Sequence, residues 1–458
     1  MNVKLKKRAF FVLCALLFLL CACAVAEPSE SIDSGASLDT VSDVYQDTET
    51  TAKPDDTTSI STDENTCIST EKVPDTSDGI GSADDTQSSP ADSCDTTEIP
   101  DTENDPPETK LPDAAQLVMV GDILMHDPVL AGGKNGDGYS FDHLFSNVQS
   151  KVSAADIALF NQEVIIAGDK YPIKGYPRFN APFELADALA AAGFDVALHA
   201  TNHTLDLGRG AMLECLDYWE TAHPEIEVVG MHDSEEDAAR ISVIEKNGIK
   251  TAILNYTYGL NPAGSDDIDA YPYLVDVLGE TRVRADVARA KELSDLVVVA
   301  VHWGSEYSSS PSKSQRRWAQ LFLECGVDLV LGTHPHVLQP IEWIEGDDGH
   351  RMLVYWSLGN FVNCTGESGA GKGERMLGAM ASVSLERNED GKVYIKHAEA
   401  LPLITHISYE KFGITTYFFD NYTEEMFSEN KVTDIDSTLS YDSCERKFEE
   451  MLGEFWVR

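Results

Sequence analysis

Basic residues are scarce in this chain. Its 458 residues include 34 Lys and Arg against 78 Asp and Glu, a formal net charge of −44. So acidic a surface repels phosphate backbones unless a basic patch is segregated from it, and the sole Lys/Arg cluster is at the extreme N-terminus; nucleic acid is excluded as a partner. Thiolate metal sites are missing too. The nine cysteines are scattered with no C-x-x-C spacing, which leaves Cys215, Cys325, Cys364 and Cys444 as structural or free thiols. No solenoid-type repeat is present.

The one basic cluster, Lys4, Lys6, Lys7 and Arg8, precedes an apolar run over 9–20 that is short for a membrane span. That layout reads as an export signal covering residues 1–26. Leu20-Cys21-Ala22-Cys23 resembles a bacterial lipobox, so the expectation is an extracytoplasmic lipoprotein anchored to the membrane through Cys23. Ala24-Val25-Ala26 offers a competing cleavage site, with a freely secreted form as the alternative and an uncleaved anchor as the third. Residues 27–112 hold 23 acidic and 3 basic residues, a net of −20, and Tyr45 is their single aromatic. Such a stretch cannot bury a core, and self-repulsion extends it; it reads as a disordered acidic linker that tethers a folded domain over 113–458.

In that domain an aspartate opens an apolar run four times, and each run ends on a group able to bind metal. The pairs are Asp156 with Glu163, Asp195 with Asn202, Asp295 with His302, and Asp328 with His334, at offsets of seven, seven, seven and six. A fifth apolar strand, Leu117-Val118-Met119-Val120, leads into Gly121-Asp122. Helical spacing over 182–192 and 315–325, each stopped by glycine, supplies the α half of a βαβ rhythm. A hairpin over 241–254 turning at Asn247-Gly248, and strands over 351–357, 378–385 and 392–398, point to a second sheet. A last helix is expected over 444–452.

In α/β sheets ligands gather beyond the carboxyl ends of the strands, so five such ends predict one polar cluster. Its members are Asp122, Glu163, Asn202, His302, His334 and His336. Singly, each has a structural alternative: a turn aspartate, a helix cap, a hydrogen-bonded core histidine. Together they form an oxygen and nitrogen donor set suited to Mn, Fe or Zn. Two such ions bridged by a carboxylate would activate water and clamp a substrate undergoing in-line displacement, and His203 is placed to donate a proton to a leaving group.

Seven ordered motifs over 117–362 carry a family resemblance: Gly121-Asp122-Ile123-Leu124-Met125-His126, Asn161-Gln162-Glu163, Ala192-Gly193-Phe194-Asp195, Asn202-His203-x-x-Asp206-x-Gly208, His302-Trp303-Gly304-x-Glu306-Tyr307, His334-Pro335-His336-Val337-Leu338-Gln339 and Ser357-Leu358-Gly359-Asn360-Phe361. They resemble the capsule-synthesis CapA family, the poly-γ-glutamate biosynthesis proteins, which is similar to the calcineurin-like metallophosphatases. The resemblance implies a four-layer α/β/β/α sandwich with a dinuclear site, metal roles for the six donors above, and His203 as acid. It further implies a metal-dependent hydrolase of a phosphoester or a γ-glutamyl polymer, in a capsule synthesis or export complex. The alternative is a non-catalytic scaffold that binds anionic polymer. The chain departs from the pattern in three places. Val118-Met119-Val120 stands where a phosphatase has D-x-H, leaving His126 as a substitute; Thr201 replaces a second Asn, and Val164-Ile165 replaces Gly-Pro. A fold alone does not settle a reaction.

Overall fold

A computed structural model describes residues 113–458. The expected signal, Cys23 and the acidic linker lie outside the described residues. Two sheets form the centre. The eight-stranded sheet runs in the order Ile414–Phe418, Val393–Ile407, Leu377–Arg387, Ala114–Ile123, Ile157–Asn161, Val196–Leu198 and Glu227–Val229, and Asn360–Val362 pairs with the end of Ala114–Ile123. The six-stranded sheet runs Leu338–Glu345, Arg351–Leu358, Leu329–Thr333, Leu296–His302, Ile249–Thr257 and Ser242–Lys246. In the six-stranded sheet parallel pairs occupy the middle and antiparallel pairs both margins, whereas in the eight-stranded sheet the pairs from Ala114–Ile123 to Glu227–Val229 are parallel and those on the other side antiparallel.

Alternation along the strands of the second sheet assigns its two faces. Val297, Val299, Val301, Val330 and Trp356 pack with Val283 and Val287 of the helix Glu280–Leu293 and with Ala319 and Phe322 of the helix Lys313–Cys325. The intervening Val298, Ala300, Leu331 and Tyr355 join a core shared with Leu117, Met119 and Leu159 of the first sheet. On that first sheet Phe160 meets Trp219 of the helix Gly208–Ala222 at 6.1 Å between ring centroids. The layers are therefore helix, sheet, sheet, helix. Burial on both faces is why these strands read as unbroken apolar runs, and each fully buried Val or Leu adds roughly 1.5–3 kcal/mol relative to exposure.

The recurring aspartates have a structural job at the opposite end of the strands from the ligands. The carboxylates of Asp156, Asp195, Asp295 and Asp328 accept the backbone N–H of Gln116, Ala158, Lys250 and Val297 at 2.8, 2.8, 2.9 and 2.9 Å. Each aspartate also donates its own N–H to the carbonyl of that same neighbour. Four parallel pairs are thus pinned at their starts, and a pinned start fixes where the ligand six or seven residues on must fall.

Local signals behave as their chemistry dictates. Gly193 and Gly326 end their helices in the left-handed region, at φ 93° and 86°, and Ser312 with Gln315 forms a capping box that starts the second of these helices at Lys313. The hairpin turns at Asn247 and Gly248, both with positive φ. Strands Leu338–Glu345, Ile414–Phe418 and Glu227–Val229 exceed the sequence expectation. The first is an edge strand containing Pro340, a residue that blurs strand signals. The final helix, Tyr441–Leu452, brings Phe448 onto Phe419 at 4.9 Å, so the C-terminal segment belongs to the main core. Among the described residues no helix is long and apolar enough to cross a membrane.

Candidate metal centre

The carboxyl ends of the parallel strands from both sheets meet at one place. Asp122, Glu163 and Asn202 come from the first sheet, at or just past Ala114–Ile123, Ile157–Asn161 and Val196–Leu198; His302, His334 and His336 come from the second, at or just past Leu296–His302 and Leu329–Thr333. All six are buried.

Glu163 is at the centre. Its Oε1 lies 3.5 Å from His336 Nε2, 3.7 Å from His302 Nε2 and 4.0 Å from His203 Nε2, yet neither carboxylate oxygen has a hydrogen-bond partner. A buried carboxylate without a donor is costly, and burial, partly offset by His336, holds the Glu163 carboxyl well above the usual carboxylate range. The same carboxylate belongs to two groups whose donor atoms lie within 4.8 Å of one another, one with His302 and His334 and one with Asp122 and His336. Asn202 Oδ1, 2.9 Å from His302 Nε2, extends the first group. The orphaned oxygens and the mixed nitrogen and oxygen donors fit divalent metal.

Charge around the site fits a cation as well. Burial, reinforced by neighbouring imidazoles, pushes His302 and His334 well below the ordinary imidazole range and keeps both neutral, the ligand-competent form. Burial also disfavours charge on His336, but Glu163 and Asp122 outweigh it and push that ring up to about 9. In the metal-free protein a proton on His336 therefore supplies positive charge between the two carboxylates.

The backbone is shaped to hold these rings. His334 and His336 both adopt the left-handed region, at φ 93° and 57°, which is unfavourable for residues with a Cβ. His334 N–H donates to Asp122 Oδ2 at 3.1 Å, and Asn360 Nδ2 donates to the His336 carbonyl at 3.2 Å. Two glycines allow the close approach. A Cβ on Gly121 would lie 1.9 Å from the Gly359 carbonyl oxygen, and one on Gly332 would lie 2.2 Å from that of Trp356.

The departures from the family pattern resolve individually. Val118 and Val120 are core side chains and offer no ligand. His126 stays outside both donor groups, edge-on to Phe179 at 5.2 Å, and does not replace the missing pair. Thr201 Oγ1 donates to the Glu163 carbonyl at 2.9 Å, and Gln162 Nε2 donates to that of Val164 at 2.7 Å, so these positions brace the loop that carries Glu163.

Further residues that the sequence reading gave no role complete the site. Asp206 Oδ2 lies 2.6 Å from His203 Nδ1, Asn161 Nδ2 donates to Asp122 Oδ1 at 2.8 Å, and Asn360 Oδ1 lies 3.1 Å from His336 Nδ1. All three fall inside the recognised motifs, which is the signal that could have found them. Asn261, 3.1 Å from His203 Nδ1, lies in a loop with no such signal.

The family model described as bacterial capsule synthesis protein PGA_cap matches residues 116–365. The chain belongs to that family. The stretch is similar to the capsule biosynthesis protein CapA of Bacillus anthracis, with 29% identity over 257 residues covering 54% of this chain and 59% of that protein. It is likewise similar to the PGA biosynthesis protein CapA of Bacillus subtilis (strain 168), with 30% identity covering 55% and 63%. The match thus spans about three-fifths of these relatives' length. Among solved structures, a putative 5'-nucleotidase from Staphylococcus aureus aligns with TM-score 0.39 at 13% identity over 63% of this chain and 54% of that one.

Proposed function

We propose that this PGA_cap family member is a metal-dependent hydrolase of capsule polymer synthesis, held outside the cytoplasm through Cys23, that acts on a phosphoester or on a γ-glutamyl polymer. The observation that carries the reading is Glu163, a buried carboxylate without a hydrogen-bond partner, shared by two groups of donors. In this reading Glu163 would be shared by two divalent ions, Mn, Fe or Zn. Asn202, His302 and His334 would help hold one of them, and Asp122 and His336 the other.

The bound ions would supply a lowered pKa for water and charge neutralisation for the reacting oxygens. The chain's own residues do the rest. Asp206 orients the His203 ring through Nδ1, leaving Nε2 to face the cluster and hand a proton to a leaving group. Thr201 fixes the backbone of Glu163, and Asn360 and Asp122 hold His336. The absence of ligands at Val118-Met119-Val120 favours the second reading, a protein that holds anionic polymer by metal bridging without cleaving it.

Elemental analysis of the purified full chain, paired with assays on a chromogenic phosphodiester and on poly-γ-glutamate, separates the two. Hydrolysis requiring about two metal equivalents supports the enzyme. Metal-replete protein that retains polymer and cleaves neither substrate supports the scaffold, and protein without metal refutes both.

A further inference from the structure

A cleft of about 540 Å³ opens beside the donor cluster, with His203 and His336 on its wall. Phe179, Tyr176 and Tyr307 give it aromatic surface, and Asp127, Glu306 and Glu367 make it acidic. Against that background Arg375 is the exception. Its side chain is only 7% exposed although it carries a permanent positive charge, and burying such a charge is costly unless it is used.

The placement of Arg375 is rigid. Its carbonyl accepts from Asn360 Nδ2 at 2.7 Å and from Asn363 Nδ2 at 3.4 Å, and Asn360 is the residue that meets His336. The guanidinium lies 3.5 Å from the centroid of the Tyr307 ring. Tyr307 is itself held in the left-handed region, at φ 62°, with its N–H donating to the Pro335 carbonyl at 2.7 Å, between the two site histidines. The loop of His334 and His336 therefore sets the position of the arginine too. The ion-pair partner is different in kind: Glu367, 3.0 Å from Nη1, has a side chain 62% exposed. A fixed cation facing a cleft, covered by one solvent-exposed carboxylate, is the arrangement of an anion site with a replaceable occupant.

We propose that Arg375 anchors a carboxylate or phosphate group of the substrate separate from the bond being cleaved, and that Glu367 occupies that place until the substrate arrives. The inference rests on reading the adjacent cluster as the reaction site, and it narrows the substrate class to molecules with a second anionic group. Arg375 is the one permanent cation among the residues lining the cleft, which makes it the place for that group.

The test measures affinity of the full chain, Mn-loaded and chelator-stripped, for inorganic phosphate and for the dipeptide γ-glutamylglutamate. Arg375→Gln is expected to weaken binding about ten- to a hundredfold in the stripped protein, with Arg375→Lys recovering part of the loss. The probe that loses more identifies the group, and equal losses mean that charge alone is read. Arg375 is buried, so Glu367→Gln, at an exposed position, carries the test independently of folding, and it should tighten binding severalfold. Unchanged affinity in Arg375→Gln, or weaker binding in Glu367→Gln, overturns the proposal. Because the stripped arm needs no metal, its failure beside a metal-replete, hydrolysing parent sinks the anchor alone. A parent without metal sinks the hydrolase reading and leaves this arm interpretable.

Discussion

His203 Nδ1 lies 2.6 Å from an Asp206 carboxylate oxygen, while its Nε2 looks across 4.0 Å to Glu163. An imidazole bound by a carboxylate on one side presents its other nitrogen in a fixed direction. Asp206→Asn keeps an acceptor for the Phe179 N–H but removes the charge that orients the ring. The hydrolysis kcat is expected to fall by roughly a hundredfold or more, with metal content unchanged. Steady-state kinetics beside elemental analysis checks this, and a variant as active as the parent removes His203 from the acid role.

Glu163→Gln should have opposite effects in the two forms of the protein. It empties both donor groups of metal, since each depends on that carboxylate. In stripped protein it should stabilise the fold by on the order of 1–3 kcal/mol at neutral pH, because a buried carboxylate without a hydrogen-bond partner is gone. The sign follows from burial holding the Glu163 carboxyl above its ordinary 4.5. The parent's penalty is absent below that pH and grows as pH rises through the folded value. Urea unfolding of both stripped proteins at pH 4 and pH 7.5 tests it, and equal midpoints at the higher pH refute it.

Asp328→Ala leaves the Val297 N–H without the acceptor now 2.9 Å away, for a loss of about 1–3 kcal/mol. Asp328→Asn keeps an acceptor and sheds a charge that burial disfavours, so it should cost little or nothing at neutral pH. Comparing the denaturation midpoints of the pair separates the hydrogen bond from the charge. Equal losses would mean that the strand start is not what the aspartate secures.

His232 lies away from the metal centre, with Nδ1 3.0 Å from Asp237 and Nε2 2.9 Å from Asp276, which also pairs with Arg282. Burial disfavours its charge, but these two hydrogen-bonded carboxylates outweigh it and push the ring up to about 9. A raised folded value adds stability that is complete below about 6.5 and lost as pH climbs through 9, up to roughly 3 kcal/mol. His232→Gln should therefore destabilise the protein at pH 6 and hardly at all at pH 9.5. A difference between variant and parent that does not change with pH refutes this.

The central strands and the six donors could be found in the sequence because double-sided burial writes itself as unbroken apolar runs and each run stops at a polar residue. The aspartate that opens those runs was also visible, but its purpose was not: the group it binds, such as Gln116 for Asp156, lies on another strand. Leu338–Glu345 escaped notice because three of its eight residues are polar and one is proline. Arg375 was silent for a similar reason, since nothing in its local sequence records a ring from residue 307 beneath it.

The division of the six donors, three from each sheet, makes the ions a mechanical part as well as a chemical one. Packing and a few hydrogen bonds, such as that from the Tyr355 hydroxyl to the Glu399 carbonyl at 2.8 Å, join the two sheets through their inner faces, whereas ions at the strand ends would clasp them with bonds that resist sliding. Removing the metal should loosen that end of the sandwich, and ions present at about 100 times their dissociation constant would contribute about 2.7 kcal/mol of stability. Keeping the ligands and keeping the reaction are thus separate demands. A descendant of this chain that had lost His203 and every trace of hydrolysis would still be selected to hold its metals, because without them the seam between its two sheets would be weaker.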